Sequence, residues 1–128
     1  MDYLRHANNV AYLAWIETAR SEYFAQVLEE RIDGPRGMIM AKIIFEYEAP
    51  IGYRAEIAIG TRISRFGSKS FDFQHEVWDE STGRRAGTST TTLVAFDYAG
   101  NHSIEVPPGW RARAAALEAR PESLVIPG

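Results

Sequence analysis

The sequence predicts an α+β domain of two layers, one long helix laid on an antiparallel sheet. Three observations predict it. The first third of the chain has helical hydrophobic periodicity, the stretch after it alternates with period two, and tight-turn residues cut that stretch into four runs.

The helix is expected from Asn9 to Glu30. At 100° per residue one arc collects Tyr12, Leu13, Trp15, Ile16, Ala19, Tyr23, Phe24 and Val27, and the opposite arc holds Thr18, Ser21, Glu22, Ala25 and Glu29. Asn8 and Asn9 are N-cap candidates, because a short amide oxygen accepts from the first backbone N–H groups. The run Asp33-Gly34-Pro35-Arg36-Gly37 closes the segment.

Strands are expected over Gly37–Ala49, Arg54–Phe66, Ser70–Glu80 and Arg85–Asp97. In the first, Ile39, Ala41, Ile43, Phe45 and Tyr47 share a face, and Met40 and Ile44 point the other way. In the third, Phe71, Phe73, His75 and Val77 alternate with Asp72, Gln74 and Glu76, so His75 reads as a packed core residue. Short turns at Pro50-Ile51-Gly52, Gly67-Ser68 and Thr82-Gly83 join consecutive runs, the pattern of an antiparallel meander. A loop follows over Tyr98–Gly109. A short helix over Trp110–Ala119 is opened by Pro107-Pro108, and a loosely held tail follows Pro121.

The chain has 128 residues, suited to a single domain over residues 1–128, with 45% hydrophobic and 24% charged residues. Its net charge of -3 argues against a nucleic-acid binder. It contains no cysteine, which excludes disulfides, thiolate zinc and Cys nucleophiles and fits a reducing compartment. No apolar run approaches the ~20 residues of a membrane span, no membrane partner is expected, and the N-terminus lacks a secretory apolar block, so the expected location is the cytoplasm. Apolar residues on both sides of the first strand make a homodimer or homotetramer the economical way to cover the sheet.

Chemistry concentrates before the long helix, where Asp2, His6, Asn8 and Asn9 precede a helix start. Backbone N–H groups and the partial positive charge there polarise a carbonyl, and a nearby carboxylate activates water or attacks the carbonyl itself. Two charged residues on the helix invite a structural reading: Arg20 lies inside the apolar arc and Glu17 at its margin, spaced for an i, i+3 ion pair. No His and carboxylate spacing suggests a metal site.

The segment Asp2 to Arg20 resembles the signature of the 4-hydroxybenzoyl-CoA thioesterase-like branch of the hotdog superfamily, D-x-x-G-H-x-N-N-x-x-Y-L followed by E-x-A-R. Matching residues are Asp2, His6, Asn8, Asn9, Tyr12, Leu13, Glu17, Ala19 and Arg20. Tyr47-Glu48-Ala49-Pro50, Arg65-Phe66-Gly67-Ser68-Lys69-Ser70 and Thr92-Leu93-Val94-Ala95-Phe96-Asp97 resemble later family segments in the same order. Two features depart from the family pattern. Members usually carry about ten residues before the signature Asp, and Arg5 stands where Gly is common.

The resemblance implies a hotdog fold and hydrolysis of an acyl-CoA or acyl-carrier-protein thioester without a metal or redox cofactor. It implies Asp2 as nucleophile or base, His6 as orienting group, and backbone N–H groups near Asn9 to Ala11 polarising the carbonyl. Glu17 is the alternative helix carboxylate. The helix aromatics Tyr12, Trp15, Tyr23 and Phe24 are expected either to line an acyl tunnel or to fill the core. Gly67 and Ser68 would lie along the pantetheine arm, with Arg65 and Lys69 toward the CoA phosphates and some of these groups supplied by a partner subunit. A non-catalytic acyl-CoA or carrier-protein binder, and a hydratase on the same fold, are the rival readings.

Overall fold

The computed structural model describes residues 9–31, 33–52, 55–118 and 125–127. Along the chain run α1 (Asn9–Gln26), β1 (Arg36–Tyr47), β2 (Ile57–Phe66), β3 (Ser70–Asp79), β4 (Arg84–Asp97), β5 (His102–Ser103), α2 (Pro108–Glu118) and β6 (Val125–Pro127).

Helix α1 buries Tyr12, Ile16, Ala19, Tyr23 and Phe24, the stripe its periodicity predicts, and Leu13 stays 39% exposed. It stops at Gln26 rather than continuing to Glu30. The Tyr23 carbonyl accepts from the Val27 and Leu28 N–H groups, the Phe24 carbonyl accepts from Glu30, and Glu29 turns left-handed at φ 57°. This tightened end drives Leu28 fully into the core.

The strands form one antiparallel sheet in the order β1-β4-β3-β2-β6, with β5 continuing the edge of β4 beyond the start of β3. Strands β2, β3 and β4 are the expected meander. β1 does not pair with β2: the connection after Tyr47 crosses the end of β4, where Glu48 and Ala49 donate to the Ala86 carbonyl, and β1 lies beside β4 at the sheet edge. The three residues of β6 pair with Ala58 to Gly60, so the tail expected to be loose adds a strand.

A bulge between Met40 and Lys42 changes which β1 side chains face the helix. Met40 lies opposite Leu93, Ile43 opposite Thr91 and Phe45 opposite Ser89, on the helix side; Ile39 opposes Val94 and Ile44 opposes Thr90 on the other. Strict alternation places Ile39 with Ile43 and sends Met40 the other way. The extra residue, Ala41, is the reason it does not hold.

The core has two clusters under α1. Tyr23, Phe24, Leu28, Phe71, Phe73, Leu93 and Trp110 fill one end, capped by α2. Tyr12, Ile16, Ile51, Ile59, Val77 and Ala86 fill the other. Each fully buried large side chain contributes roughly 1.5–3 kcal/mol. Across the same face Thr61, His75 and Ser89 are paired neighbours on β2, β3 and β4, a buried polar row beneath the helix. The outer face carries charge: Arg65 binds Asp72, Arg62 binds Gln74, and Arg85 bridges Glu48 and Glu76. Glu30 ties the layers together, accepting from the Trp110 indole at 2.9 Å and pairing with Arg36 at 2.8 Å.

Candidate active site

The start of α1 at Asn9 anchors the candidate site, because a helix N-terminus carries partial positive charge. Asp2, His6 and Asn8 lie outside the described residues. Asn9 is the first described residue and already belongs to α1.

One turn on, Tyr12 is 3% exposed and packs edge-on against Tyr47 at 4.9 Å and Phe45 at 6.0 Å. Burial, and next the neighbouring Tyr47 phenol, hold its hydroxyl above the ordinary tyrosine pKa. Tyr12 is thus a neutral part of the packing in the first turns of α1.

Glu17 lies eight residues past Asn9, about 12 Å along the axis at 1.5 Å per residue. Within one chain it cannot act on the atom that the helix N-terminus polarises. It is exposed at the rim of a cavity of about 200 Å³ between α1 and β1, which Arg20, Ser21, Phe24, Met40 and Leu93 also line. The expected Glu17–Arg20 ion pair does not form: among the described residues no salt bridge within 4 Å includes either. Arg20 is half-buried, and burial weakens its hold on the proton more than the charge of Glu17 restores it. Half-buried Arg20 and exposed Glu17 do not come within ion-pair distance, although their spacing permits it.

The Gly67 turn forms a second locus. Gly67 donates to the Ser70 carbonyl at 2.7 Å, while the Ser68 carbonyl accepts from Val106 and that of Lys69 from Ala95. A side chain at position 67 would come within 2.9 Å of the Arg65 guanidinium, which requires glycine there or a displaced Arg65. Ser68 and Lys69 are exposed. Arg65 is engaged, donating to both Asp72 oxygens at 2.9 and 3.2 Å and to the Ser70 hydroxyl at 3.1 Å. The Arg65 hydrogen bond holds the Asp72 carboxyl below the usual carboxylate range, assisted by Thr92.

Arg62, Arg65, Phe66 and Arg111 border a cleft of about 270 Å³ between β2 and α2. Sequence pattern alone does not single out Arg111. Its guanidinium lies 5.1 Å over the Phe66 ring and donates to the Gly67 carbonyl. The readable signal is α2 spacing: Arg111, Ala114, Ala115 and Glu118 fall on one face and line this cleft.

These loci are apart in one chain. Phe66, next to Gly67, packs on the cluster of Tyr23, Phe24 and Leu28, and Phe24 is about 22 Å along the helix from Asn9. His75 belongs to neither: it is fully buried, with Nδ1 3.1 Å from the Thr61 hydroxyl. Burial, and after it the charge of Arg20, push its pKa down to about 3. Among the described residues no group of three or more His, Cys, Asp or Glu could hold a metal ion.

A family model for the thioesterase-like superfamily matches residues 1–114. The structure of a thioesterase from Thermus thermophilus, complexed with coenzyme A and Zn, is similar at 30% identity and TM-score 0.79, covering 94% of this chain and 87% of that one. The PA5185 protein from Pseudomonas aeruginosa strain PAO1 is similar at 25% identity and TM-score 0.80, covering 91% and 82% of the two chains. Gentisyl-coenzyme A thioesterase BH1999, at 19% identity and TM-score 0.77 over 88% of this chain and 90% of that one, shares the fold. Comparison with curated proteins found no match.

Proposed function

The chain belongs to the thioesterase-like superfamily and has the hotdog fold, and from that premise we propose that it hydrolyses acyl-CoA thioesters to the free acid and the CoA thiol. The observation that supports this best is the family-model match over residues 1–114, which includes the Asp2, His6 and Asn8 segment ahead of α1. In this reading the thioester carbonyl points at the positive end of α1. Asp2 accepts a proton from water as it attacks, or attacks first and is released by water. His6 orients the reacting group. The tetrahedral oxyanion collapses, the C–S bond breaks, and the thiolate leaves to be protonated.

The CoA end is proposed to lie along the Gly67-Ser68 turn. Lys69 and Arg111 face its phosphates, and Arg65, already held by Asp72, shapes the turn. A helix start and a Gly67 turn separated in one chain favour a site shared between two. Edge strand β1 leaves Ile39, Met40 and Ile44 between 43% and 44% exposed, and pairing of two β1 edges extends the sheet and covers them. We therefore read the protein as a homodimer, in the cytoplasm, needing no resident metal or redox cofactor. Among the described residues no helix is long and apolar enough to cross a membrane.

The test is thiol release, followed by a thiol reagent, from a panel of aliphatic and aromatic acyl-CoAs. Turnover is expected, and Asp2→Asn should lower kcat by about 10²–10⁴ with unchanged circular dichroism. Tight acyl-CoA binding with no thiol release across the panel would replace the hydrolase reading by the binding one.

A further inference from the structure

The cavity between α1 and β1 contains a guanidinium, Arg20, that among the described residues has neither a hydrogen bond nor an ion pair within 4 Å. Its exposed lining is more polar than apolar: Arg20, Ser21 and Tyr98 border it with Glu17 at the rim, and Phe24, Met38, Met40 and Leu93 supply an apolar part. We propose that this cavity receives the acyl group and that Arg20 selects acyl chains ending in a carboxylate, the mono-thioesters of dicarboxylic acids. This rests on the hydrolase reading and the shared site above, and specifies the substrate class. Arg20 lies about 16 Å along α1 from Asn9, so the carbonyl of an acyl chain in this cavity meets the helix start of the partner subunit.

The argument starts from hydrogen-bond accounting. A guanidinium carries five N–H donors and loses water when half-buried, so an Arg in that setting needs an acceptor. Among the described residues Arg20 has no hydrogen bond or ion pair. The three arginines of the other cleft are all engaged, Arg62 with Gln74, Arg65 with Asp72 and Arg111 with the Gly67 carbonyl. No carboxylate waits deeper in the fold among the unpaired buried groups either. Beneath α1 the unpaired buried atoms include His75 Nε2, Ser89 Oγ and Thr91 Oγ1, none of them a carboxylate. Thr91 and Leu93 alternate on the same face of β4, so this polar layer adjoins the cavity wall. Glu17 is a competing charge, but it is exposed to water and lies beyond ion-pair distance, where solvent screens it.

The walls set the rest of the ligand. Phe24, Met40 and Leu93 suit methylene groups, and Met adapts to irregular chains. A cavity of about 200 Å³ suits a short chain with its terminal carboxylate. An unbranched acyl chain of that length without the carboxylate fills the same walls but leaves Arg20 unpaired.

The experiment compares kcat/KM for adipyl-CoA and hexanoyl-CoA, which differ only in the terminal carboxylate replacing a methyl. A charge-assisted hydrogen bond of about 1.5–3 kcal/mol corresponds to a preference of about 10- to 100-fold for adipyl-CoA. In Arg20→Gln that ratio should collapse toward one, and Arg20→Lys should recover part of it. Calorimetric titration with free adipate and free hexanoate gives a readout independent of turnover, with adipate binding expected in the parent and lost in Arg20→Gln. A parent that hydrolyses both substrates equally, or prefers hexanoyl-CoA, overturns the inference and leaves the hydrolase reading standing. Absence of hydrolysis across all thioesters removes that reading, and the calorimetric comparison then decides the cavity alone. An Arg20→Gln variant that keeps the ratio but weakens self-association in sedimentation assigns Arg20 to a subunit contact and also overturns the inference.

Discussion

His75 should make the fold acid-labile over a defined pH window. Its imidazole is fully buried, lies in a stacked arrangement with Phe73 at 5.7 Å, and has Nδ1 against Thr61 while Nε2 has no partner. Charging it would place a cation in the core near Arg20, so the folded-state pKa falls from 6.5 to about 3. Between those values the unfolded chain binds a proton that the folded chain refuses, so stability rises with pH. The contribution is complete above about pH 6.5, declines as pH drops, and is exhausted near pH 3. The slope is at most about 1.4 kcal/mol per pH unit, and a gap of about 3.5 pH units gives about 5 kcal/mol in total. That is a large share of the roughly 5–15 kcal/mol available to a domain. Urea unfolding followed by tryptophan fluorescence at pH 7.5, 6.5, 5.5 and 4.5 measures it. His75→Gln should be less stable at pH 7.5 yet lose most of the slope between pH 6.5 and 4.5. If Gln does not fold, His75→Phe tests the same slope while keeping an aromatic ring beside Phe73. The carboxyls held low by arginine, Asp72 and Glu48, lose their contribution as pH falls through the lowered carboxyl range and are common to parent and variant. Equal pH slopes in parent and variant would refute the account of His75.

Two further outcomes follow from packing. Glu30→Ala leaves the indole N–H of fully buried Trp110 and the Arg36 guanidinium without their acceptor, so a loss of about 2–3 kcal/mol is expected. A chain of this length should then melt roughly 8–12 °C lower, and a shift below about 2 °C would show the contact to be dispensable. Ile44→Lys places a charge on the exposed side of edge strand β1 and should raise the dimer dissociation constant at least about tenfold, read by sedimentation equilibrium. A parent protein that stays monomeric at high concentration would remove the edge-paired dimer.

Local pattern carried much of the architecture. The buried stripe from Tyr12 to Phe24 and the inward series Phe71, Phe73, His75 and Val77 follow from helical and strand periods, and the structure places them in the core. What local pattern missed depends on distant partners. The crossing of β1 to β4 is settled by pairing across half the chain. The Met40/Lys42 bulge adds a residue without a turn signal. β6 has three residues, too few to show an alternation, and it exists because the β2 edge accepts it. The site was legible in parts. Spacing points to a Glu17–Arg20 pair that does not form in the structure, where Glu17 is exposed and Arg20 half-buried, and Arg111 emerges only once α2 is laid against the Gly67 turn.

The bulge at Ala41 has an uncommon consequence for how the chain tolerates changes in length. Loss of one residue inside a strand ordinarily inverts every side chain downstream, which few folds survive. Here Met40 and Ile43 already face inward on either side of one supernumerary position, so excising Ala41 would straighten the ribbon without turning any core group to water. Length variants at that point would differ in the twist of the outermost strand, and so in the angle at which another molecule could lie against it, while the interior stayed as it is.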